Sequence, residues 1–212
     1  MNESCEEHEL RLEKNRLESL TDGIFAFAMT LLVTSLILPR SAFVTDTASQ
    51  ALVSLIPDFY HYIIAFFVLA AFWTAHHLQF SHVKYVDRNF MTLSIVGLFF
   101  VTLVPFTTSF IGDYDNDPVA AIAFETSLLI LGLLFALHWV YATRNRRLVA
   151  PDFPAERIRY GTIRNLIVPV ISLAAIGIAL IGSDSSTMMY MTLPLVSFGM
   201  ERYMKPKIGH QC

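Results

Sequence analysis

Residues 16–39 read RLESLTDGIFAFAMTLLVTSLILP, and this stretch decides the fold. A charged segment passes without a break into an apolar run that contains an aspartate and several hydroxyl residues. Residues 20–39 supply the roughly 20 residues that a helix needs to cross the hydrocarbon core of a bilayer. The many glutamates before this run are unlike the basic start of a cleaved signal peptide. We therefore expect the run to be retained as a membrane-spanning helix.

The whole chain of 212 residues has the composition of a membrane protein. Hydrophobic residues make up 54%, charged residues 16%, and the mean hydropathy is +0.52, whereas soluble domains contain about 25% charged residues. The net charge of −3 provides no basic field for binding nucleic acid. Five further apolar windows follow the first, at 59–80, 90–111, 119–142, 163–182 and 187–201. The sequence predicts an all-α polytopic membrane protein in which residues 1–212 form one subunit of six transmembrane helices.

The basic residues predict the orientation of these helices. With six spans, both termini and the second and fourth loops share one side of the membrane. Fourteen of the fifteen Lys and Arg residues lie on that side, and only Arg40 lies on the other. Because basic loops remain in the cytoplasm, we expect both the N-terminus and the C-terminus to be cytoplasmic.

Asp22 is an acid within the first predicted span, where a charge costs about 2.5–3.5 kcal/mol at the bilayer centre and less near the edge. One interpretation is that Asp22 and Thr21 cap the helix near the interface. The other is that Asp22 pairs with another helix, because Glu18, four residues earlier, carries the same charge. We favour a hydrogen bond between Asp22 and His76 of the second span, with Arg16 as the competing partner. A neutral, packed role is the alternative for His76.

One face of the first span carries a pattern suited to a pore. Phe27, Leu31 and Thr34 are spaced i, i+4 and i+7, and Thr30 lies beside them on a stripe of small residues. A ring of such helices would form a narrow apolar neck, with hydroxyl oxygens nearby that replace part of an ion's hydration shell. The alternative is a stripe that faces lipid or the core of the subunit.

The same stretch resembles the transmembrane protein 175 family of potassium channels. The family's first-helix signature is Arg-x-x-x-Phe-Ser-Asp, which stands here as Arg16, Leu20, Thr21 and Asp22. Further similarity lies in the sequence WTAH, from Trp73 to His76, and in LVPFT, from Leu103 to Thr107. The resemblance covers about residues 16–111, together with the six-span layout.

The resemblance implies a bacterial homotetramer in the plasma membrane, with four copies of the first helix around the pore and potassium ions as the permeant species. The family's narrow apolar gate maps to Phe27, where most members have an aliphatic residue, and the next apolar layer maps to Leu31. The hydroxyl linked to selectivity maps to Thr30, and a third layer maps to Thr34. Potassium would pass transiently near these threonines, and no cofactor, resident metal or enzymatic step is implied.

Two other functions compete with a channel. A secondary transporter or proton-coupled carrier would use Asp22 and His76 as a relay. A membrane enzyme is disfavoured, because the histidines follow neither HExxH nor repeated HxxHH spacing and no GxSxG elbow occurs. Glu125, two turns into the fourth span, has three interpretations: it lines an outer vestibule, pairs with a neighbouring helix or is simply hydrated near the interface.

Overall fold

The computed structural model describes residues 3–36, 47–114, 117–181 and 186–204. These residues are almost entirely helical, which confirms the all-α prediction. The described residues contain seven α-helices: α1 Glu3–Leu31, α2 Ala48–Ser54, α3 Ile56–His82, α4 Arg88–Asp113, α5 Pro118–Thr143, α6 Ala155–Leu180 and α7 Leu193–Met204. Two longer 3-10 segments accompany them, Leu32–Ser35 directly after α1 and Ser186–Thr192 directly before α7.

Five segments of the described chain are long enough and apolar enough to cross a membrane: Glu13–Ser35, Ile56–His82, Arg88–Asp113, Pro118–Arg146 and Ala155–Leu180. They correspond to the first five predicted spans. The fifth starts eight residues before its predicted start at position 163. Some predicted positions lie outside the described residues: the ends of two predicted spans, at positions 37–39 and 182, and Arg40, the basic residue predicted on the non-cytoplasmic side.

The sixth predicted span, 187–201, does not form one long α-helix. Its first part is the 3-10 segment Ser186–Thr192, and α7 begins only at Leu193. Pro194 explains this start, because proline lacks an amide hydrogen and suits the first turn of a helix better than its interior. A sixth crossing therefore stays a prediction.

Side-chain caps and prolines set several helix boundaries. The Asp87 carboxylate accepts a hydrogen bond from the backbone N–H of Phe90 at 2.8 Å and thereby caps α4. Asp117 caps α5 in the same way through the N–H of Val119, and Pro118 occupies the first turn. These residues satisfy amide hydrogens that have no partner within the helix.

The core of the subunit is formed by α1 and α3 to α6, with α5 packed along both α4 and α6. Its largest fully buried side chains include Phe25 of α1 and Phe124 and Leu128 of α5. The α5–α6 contact is close because Gly132 lies against Pro169, where a Cβ atom would approach the proline ring to 2.7 Å. The helices thus enclose a continuous apolar core that leaves one side of α1 uncovered.

Candidate pore-lining helix

One face of α1 is embedded in the subunit. Its buried residues recur at helical spacing and are Leu17, Thr21, Phe25, Ala28 and Leu32. The Phe25 ring meets Phe135 of α5 edge to face, with ring centroids 6.2 Å apart. Thr21 is 1% exposed, and its hydroxyl donates to the Leu17 carbonyl oxygen at 2.8 Å. Thr21 therefore belongs to the packed face of α1, where its hydroxyl is satisfied within the helix.

The opposite face of α1 is uncovered in the single subunit. The Phe27 side chain is 63% exposed, Thr30 and Thr34 are exposed, and Leu31 is half-buried. The neighbouring Gly23 and Ala26 are also exposed. The interpretation of this stripe as part of the subunit core is therefore wrong. The four residues predicted to line a pore do lie on one side of the helix.

The two threonine hydroxyls on this face have a fixed direction. Thr30 Oγ1 donates to the Phe27 carbonyl oxygen at 2.8 Å, and Thr34 Oγ1 donates to the Leu31 carbonyl oxygen at 2.6 Å. A hydroxyl has one hydrogen and two lone pairs, so a hydroxyl that donates to its own helix keeps its lone pairs for an outside partner. The exposed face of α1 thus combines apolar side chains with oxygen atoms that can accept from water or coordinate a cation.

Asp22 has a partner on α3, but the partner is not His76. The indole Nε1 of Trp73 donates to Asp22 Oδ1 at 2.9 Å. His76, one turn further along α3, is buried, and its ring lies against Phe80 with centroids 4.1 Å apart. Its Nδ1 atom forms no hydrogen bond within the described residues. The predicted Asp22–His76 hydrogen bond is wrong, because α3 turns Trp73 toward the exposed side of α1 and His76 toward the aromatic core.

A second contact joins the same two helices one turn nearer the start of α1. Glu18 Oε1 lies 3.7 Å from His77 Nδ1, and the His77 ring stacks on Trp73 with centroids 6.0 Å apart. Glu18 and Asp22 on α1 thus face His77 and Trp73 on α3, and each pair is spaced i, i+4. We call these four residues the α1–α3 seam. His77 lies on the predicted second span beside His76, but no partner was predicted for it, although the matched spacing on the two helices was a signal for the Glu18 contact.

Arg16 and Glu125 also differ from their expected surroundings. Arg16 is exposed, and it forms no hydrogen bond or ion pair with the described residues, so it does not compete for Asp22. Glu125 is 0% exposed, which makes the hydrated interpretation wrong. Its carboxyl lies beside the Ser186 hydroxyl. The position of α5 between α4 and α6 explains this enclosure.

The loops after α3 and α5 form one body at the end of the subunit where α1 begins. The Lys84 amide donates to the Leu148 carbonyl oxygen at 2.8 Å, and Arg147 Nε lies 3.1 Å from Asp87 Oδ2. Partial burial of Asp87 opposes its ionisation, but the Phe90 amide, the Tyr141 hydroxyl and the Arg147 guanidinium together hold its pKa below the usual value. The two predicted basic loops therefore share a structural carboxylate.

No metal-binding arrangement occurs among the side chains that the structure places. In those residues no group of three or more His, Cys, Asp or Glu side chains is close enough to hold a metal ion. The polar atoms of the exposed α1 face instead lie along one helix, and those of the α1–α3 seam lie on α1 and α3. These features define the class of the protein: a polytopic α-helical membrane protein with a mixed apolar and hydroxyl face on its first helix.

Comparison with known proteins narrows this class to one family. Residues 16–105 match the family model described as the endosomal/lysosomal potassium channel TMEM175. A protein of Streptomyces collinus described as a potassium channel is 33% identical over 151 residues, which cover 68% of this chain and 73% of that protein. A potassium channel of Chamaesiphon minutus is 33% identical over 142 residues, covering 65% and 70% of the two chains. The chain belongs to the TMEM175 family.

The fold agrees with this assignment over nearly the whole subunit. The crystal structure of a lysosomal potassium-selective channel TMEM175 homolog from Chamaesiphon minutus superimposes with a TM-score of 0.76 at 26% sequence identity. The match covers 90% of this chain and 98% of that chain. At this coverage the similarity extends well beyond residue 105, where the family model ends, and includes most of α5 and α6.

Proposed function

We propose that the chain is one subunit of a homotetrameric, potassium-permeable cation channel in a bacterial plasma membrane. Four copies of α1 surround the pore and turn Phe27, Thr30, Leu31 and Thr34 toward it. Two kinds of observation support this proposal. The relatives that resemble this chain over two thirds of their length are described as potassium channels, and the α1 face has no partner within its own subunit.

The observation that carries the proposal is the 63% exposure of Phe27 in the middle of a membrane helix whose opposite face is buried. Four Phe27 rings around an axis form an apolar constriction, and such a constriction closes when water leaves it. The Thr30 oxygen lies one turn further along α1 and the Thr34 oxygen lies in the 3-10 segment that follows, where they replace part of the hydration of a passing ion. Conduction in this arrangement needs no cofactor and no covalent step.

Six crossings with both termini in the cytoplasm give the proposed topology. The 3-10 segment Ser186–Thr192 and α7 together form the short sixth crossing. The Lys14 ammonium donates to the Val83 carbonyl oxygen at 2.7 Å, so the start of α1 lies at the same end as the two basic loops. Basic residues concentrated at one end favour the cytoplasmic side for that end. Lys205 and Lys207, which would add to this charge, lie outside the described residues.

The α1–α3 seam gives the proposed pore helix a fixed rotation. Asp22 and Glu18 hold one edge of α1 against α3, so the Phe27 face cannot turn toward the lipid without breaking both contacts. The carrier hypothesis requires proton transfer between Asp22 and His76. This transfer is disfavoured, because Asp22 accepts a hydrogen bond from Trp73 and His76 packs among aromatic rings. The proposed role of Asp22 is therefore structural.

Potassium flux from proteoliposomes tests the proposal. Phe27→Ala widens and wets the neck, so the potassium flux should rise at least severalfold without stoichiometric proton movement. Phe99→Ala is the matched control, because Phe99 is 59% exposed near the middle of α4 and lies outside the proposed pore. Its flux should equal that of the wild type. Equal flux in both variants and the wild type would contradict the pore assignment, and flux tied to protons would favour a carrier.

A further inference from the structure

A second candidate site lies on the other side of the subunit, in a groove between the later half of α3 and the first half of α6. Near its mouth is a cavity of about 160 Å³. Its side walls are formed by Ala75, Leu78 and His82 of α3 and by Arg157, Tyr160 and Arg164 of α6. We call this the α3–α6 groove.

The groove exists because α6 packs along α5 whereas α3 packs mainly on α4 and α1, so that α3 and α6 do not pack along each other. Gly161 of α6 lies directly on Trp139 of α5, where a Cβ atom would clash with the indole ring. The Trp139 indole N–H also donates to the Ile158 carbonyl oxygen at 3.1 Å. Gln79 of α3 bridges to Asn165 of α6 at 2.9 Å. These fixed contacts hold the two walls apart and give the groove a polar floor.

Two arginines place positive charge along one wall. Arg157 and Arg164 are seven residues apart, so they lie two turns apart on the same face of α6. Both are half-buried, and neither guanidinium forms a hydrogen bond or ion pair within the described part of the chain. Arg164 lies nine residues inside α6, about 14 Å from its start at a rise of about 1.5 Å per residue. A cation at such depth calls for an anionic partner or water.

The groove becomes apolar beyond Arg164. Arg164 also lines two further cavities, of about 50 and about 630 Å³, so the three cavities adjoin at this residue. The largest is bordered by Ile64, Phe67 and Val68 of α3 and by Leu193. From Ala75 to Ile64 the groove follows 11 residues of α3, about 16 Å. This length is close to the roughly 15 Å of one leaflet, half of a hydrocarbon core of about 30 Å.

We propose that the α3–α6 groove binds a phospholipid with an anionic head group. Its phosphate is held by Arg157 and Arg164, whose planar guanidinium groups match phosphate geometry. An acyl chain runs past Ala71 into the apolar cavity. The arginines at one end of the groove complement a phosphate, and the apolar cavity at the other end is long enough for an acyl chain. A free anion would occupy only the mouth of the groove, so the whole groove favours a lipid. This site is independent of the α1 face, so its failure would leave the proposed channel function untouched.

Native mass spectrometry of the purified full-length assembly tests the proposal. The probes are phosphatidylglycerol, phosphatidylcholine of the same chain length and millimolar inorganic phosphate. Wild-type protein should retain phosphatidylglycerol at collision energies that remove phosphatidylcholine. The double variant R157Q/R164Q should retain about tenfold less phosphatidylglycerol, the factor expected for losing charge-assisted hydrogen bonds. R159Q removes the same charge from the opposite, exposed side of α6 and should retain as much as the wild type.

A second pair of variants tests the apolar part of the groove without altering charge. Ala71→Phe fills the groove and should reduce phosphatidylglycerol retention severalfold, whereas Ala174→Phe, on an exposed side of α6, should not. Size-exclusion profiles confirm that each variant is folded. Four results would overturn the proposal: equal retention of both lipids, an equal loss in R159Q, displacement of phosphatidylglycerol by inorganic phosphate, or a change of oligomeric state in Ala71→Phe with unchanged lipid retention.

Discussion

α1 and α5 are both suited to cross a membrane, but the subunit encloses them to different degrees. In the most apolar stretch of each helix, 28% of the residues are buried for α1, compared with 50% for α5. Polar groups follow the same contrast: Glu125 of α5 is enclosed, whereas Asp22 and Thr30 of α1 are exposed. A membrane helix with polar groups on an uncovered face needs protein or water there. The side chains of α5 are therefore used within the core of the chain itself. The exposed polar face of α1 is the reason for placing α1 at the centre of the proposed assembly.

The largest expected difference between these helices concerns one phenylalanine on each. Phe124→Ala on α5 removes a fully buried ring and should lower the free energy of unfolding by about 3–5 kcal/mol. Phe27→Ala on α1 leaves no cavity in the subunit core and should change it by less than about 1 kcal/mol. Thermal unfolding in detergent measures both. Similar destabilisation by the two variants would remove the contrast between the helices.

The α1–α3 seam should show the next largest effect. Trp73→Phe removes the donor to Asp22 and should cost about 1–2 kcal/mol, with a lower yield of assembled protein on size exclusion. Combined with Asp22→Ala, which removes the acceptor, it should cost less than the sum of the single changes, because each change alone removes the same hydrogen bond. His76→Phe is the control and should be additive with Asp22→Ala. The opposite result, in which the Trp73 and Asp22 changes are additive and the His76 and Asp22 changes are not, would support the Asp22–His76 hydrogen bond instead.

A smaller effect is expected from the hydroxyl on the pore face. Thr30→Val keeps the shape of the side chain and removes its oxygen, so potassium permeability relative to sodium should fall about twofold to tenfold. The control is Thr102→Val on α4, where an exposed threonine makes the same bond to the carbonyl oxygen three residues earlier, at 2.7 Å. Reversal potentials in mixed salts measure the ratio. An unchanged ratio in Thr30→Val would show that this oxygen does not contact the ion.

The smallest effect concerns the loops at the start of α1. The pKa of Asp87 is lowered from its ordinary value of 3.8, so its carboxylate stabilises the fold fully above that pH. The stabilisation is lost as the pH falls through the lower, folded-state pKa. Its size is at most about 1 kcal/mol, because Arg147 is largely exposed. Unfolding midpoints of Asp87→Asn and the wild type should differ at neutral pH and converge below pH 3.8, and a constant difference would contradict this role.

Hydropathy was sufficient to predict the first five membrane helices, because a long apolar run has few other structures available to it. It could not predict that residues 187–201 divide into a 3-10 segment and a short helix. The exposed face of α1 was predicted from the spacing of Phe27, Leu31 and Thr34. The partner of Asp22 was not, because Trp73 and His76 lie one turn apart and only the rotation of α3 decides between them. The α3–α6 groove was also invisible in the sequence, since it depends on how α3 and α6 pack on different neighbouring helices.

The central claim is that four Phe27 side chains meet at the pore axis, and cadmium block of Phe27→Cys tests it most directly. The background is Cys5→Ser with Cys212→Ser, which removes both native cysteines. Thiolates around one axis bind a soft metal ion together, so micromolar cadmium should abolish the potassium current of Phe27→Cys and leave that of Phe99→Cys unchanged. An unaffected current in Phe27→Cys, or equal block of both variants, would contradict the placement of α1 around the pore.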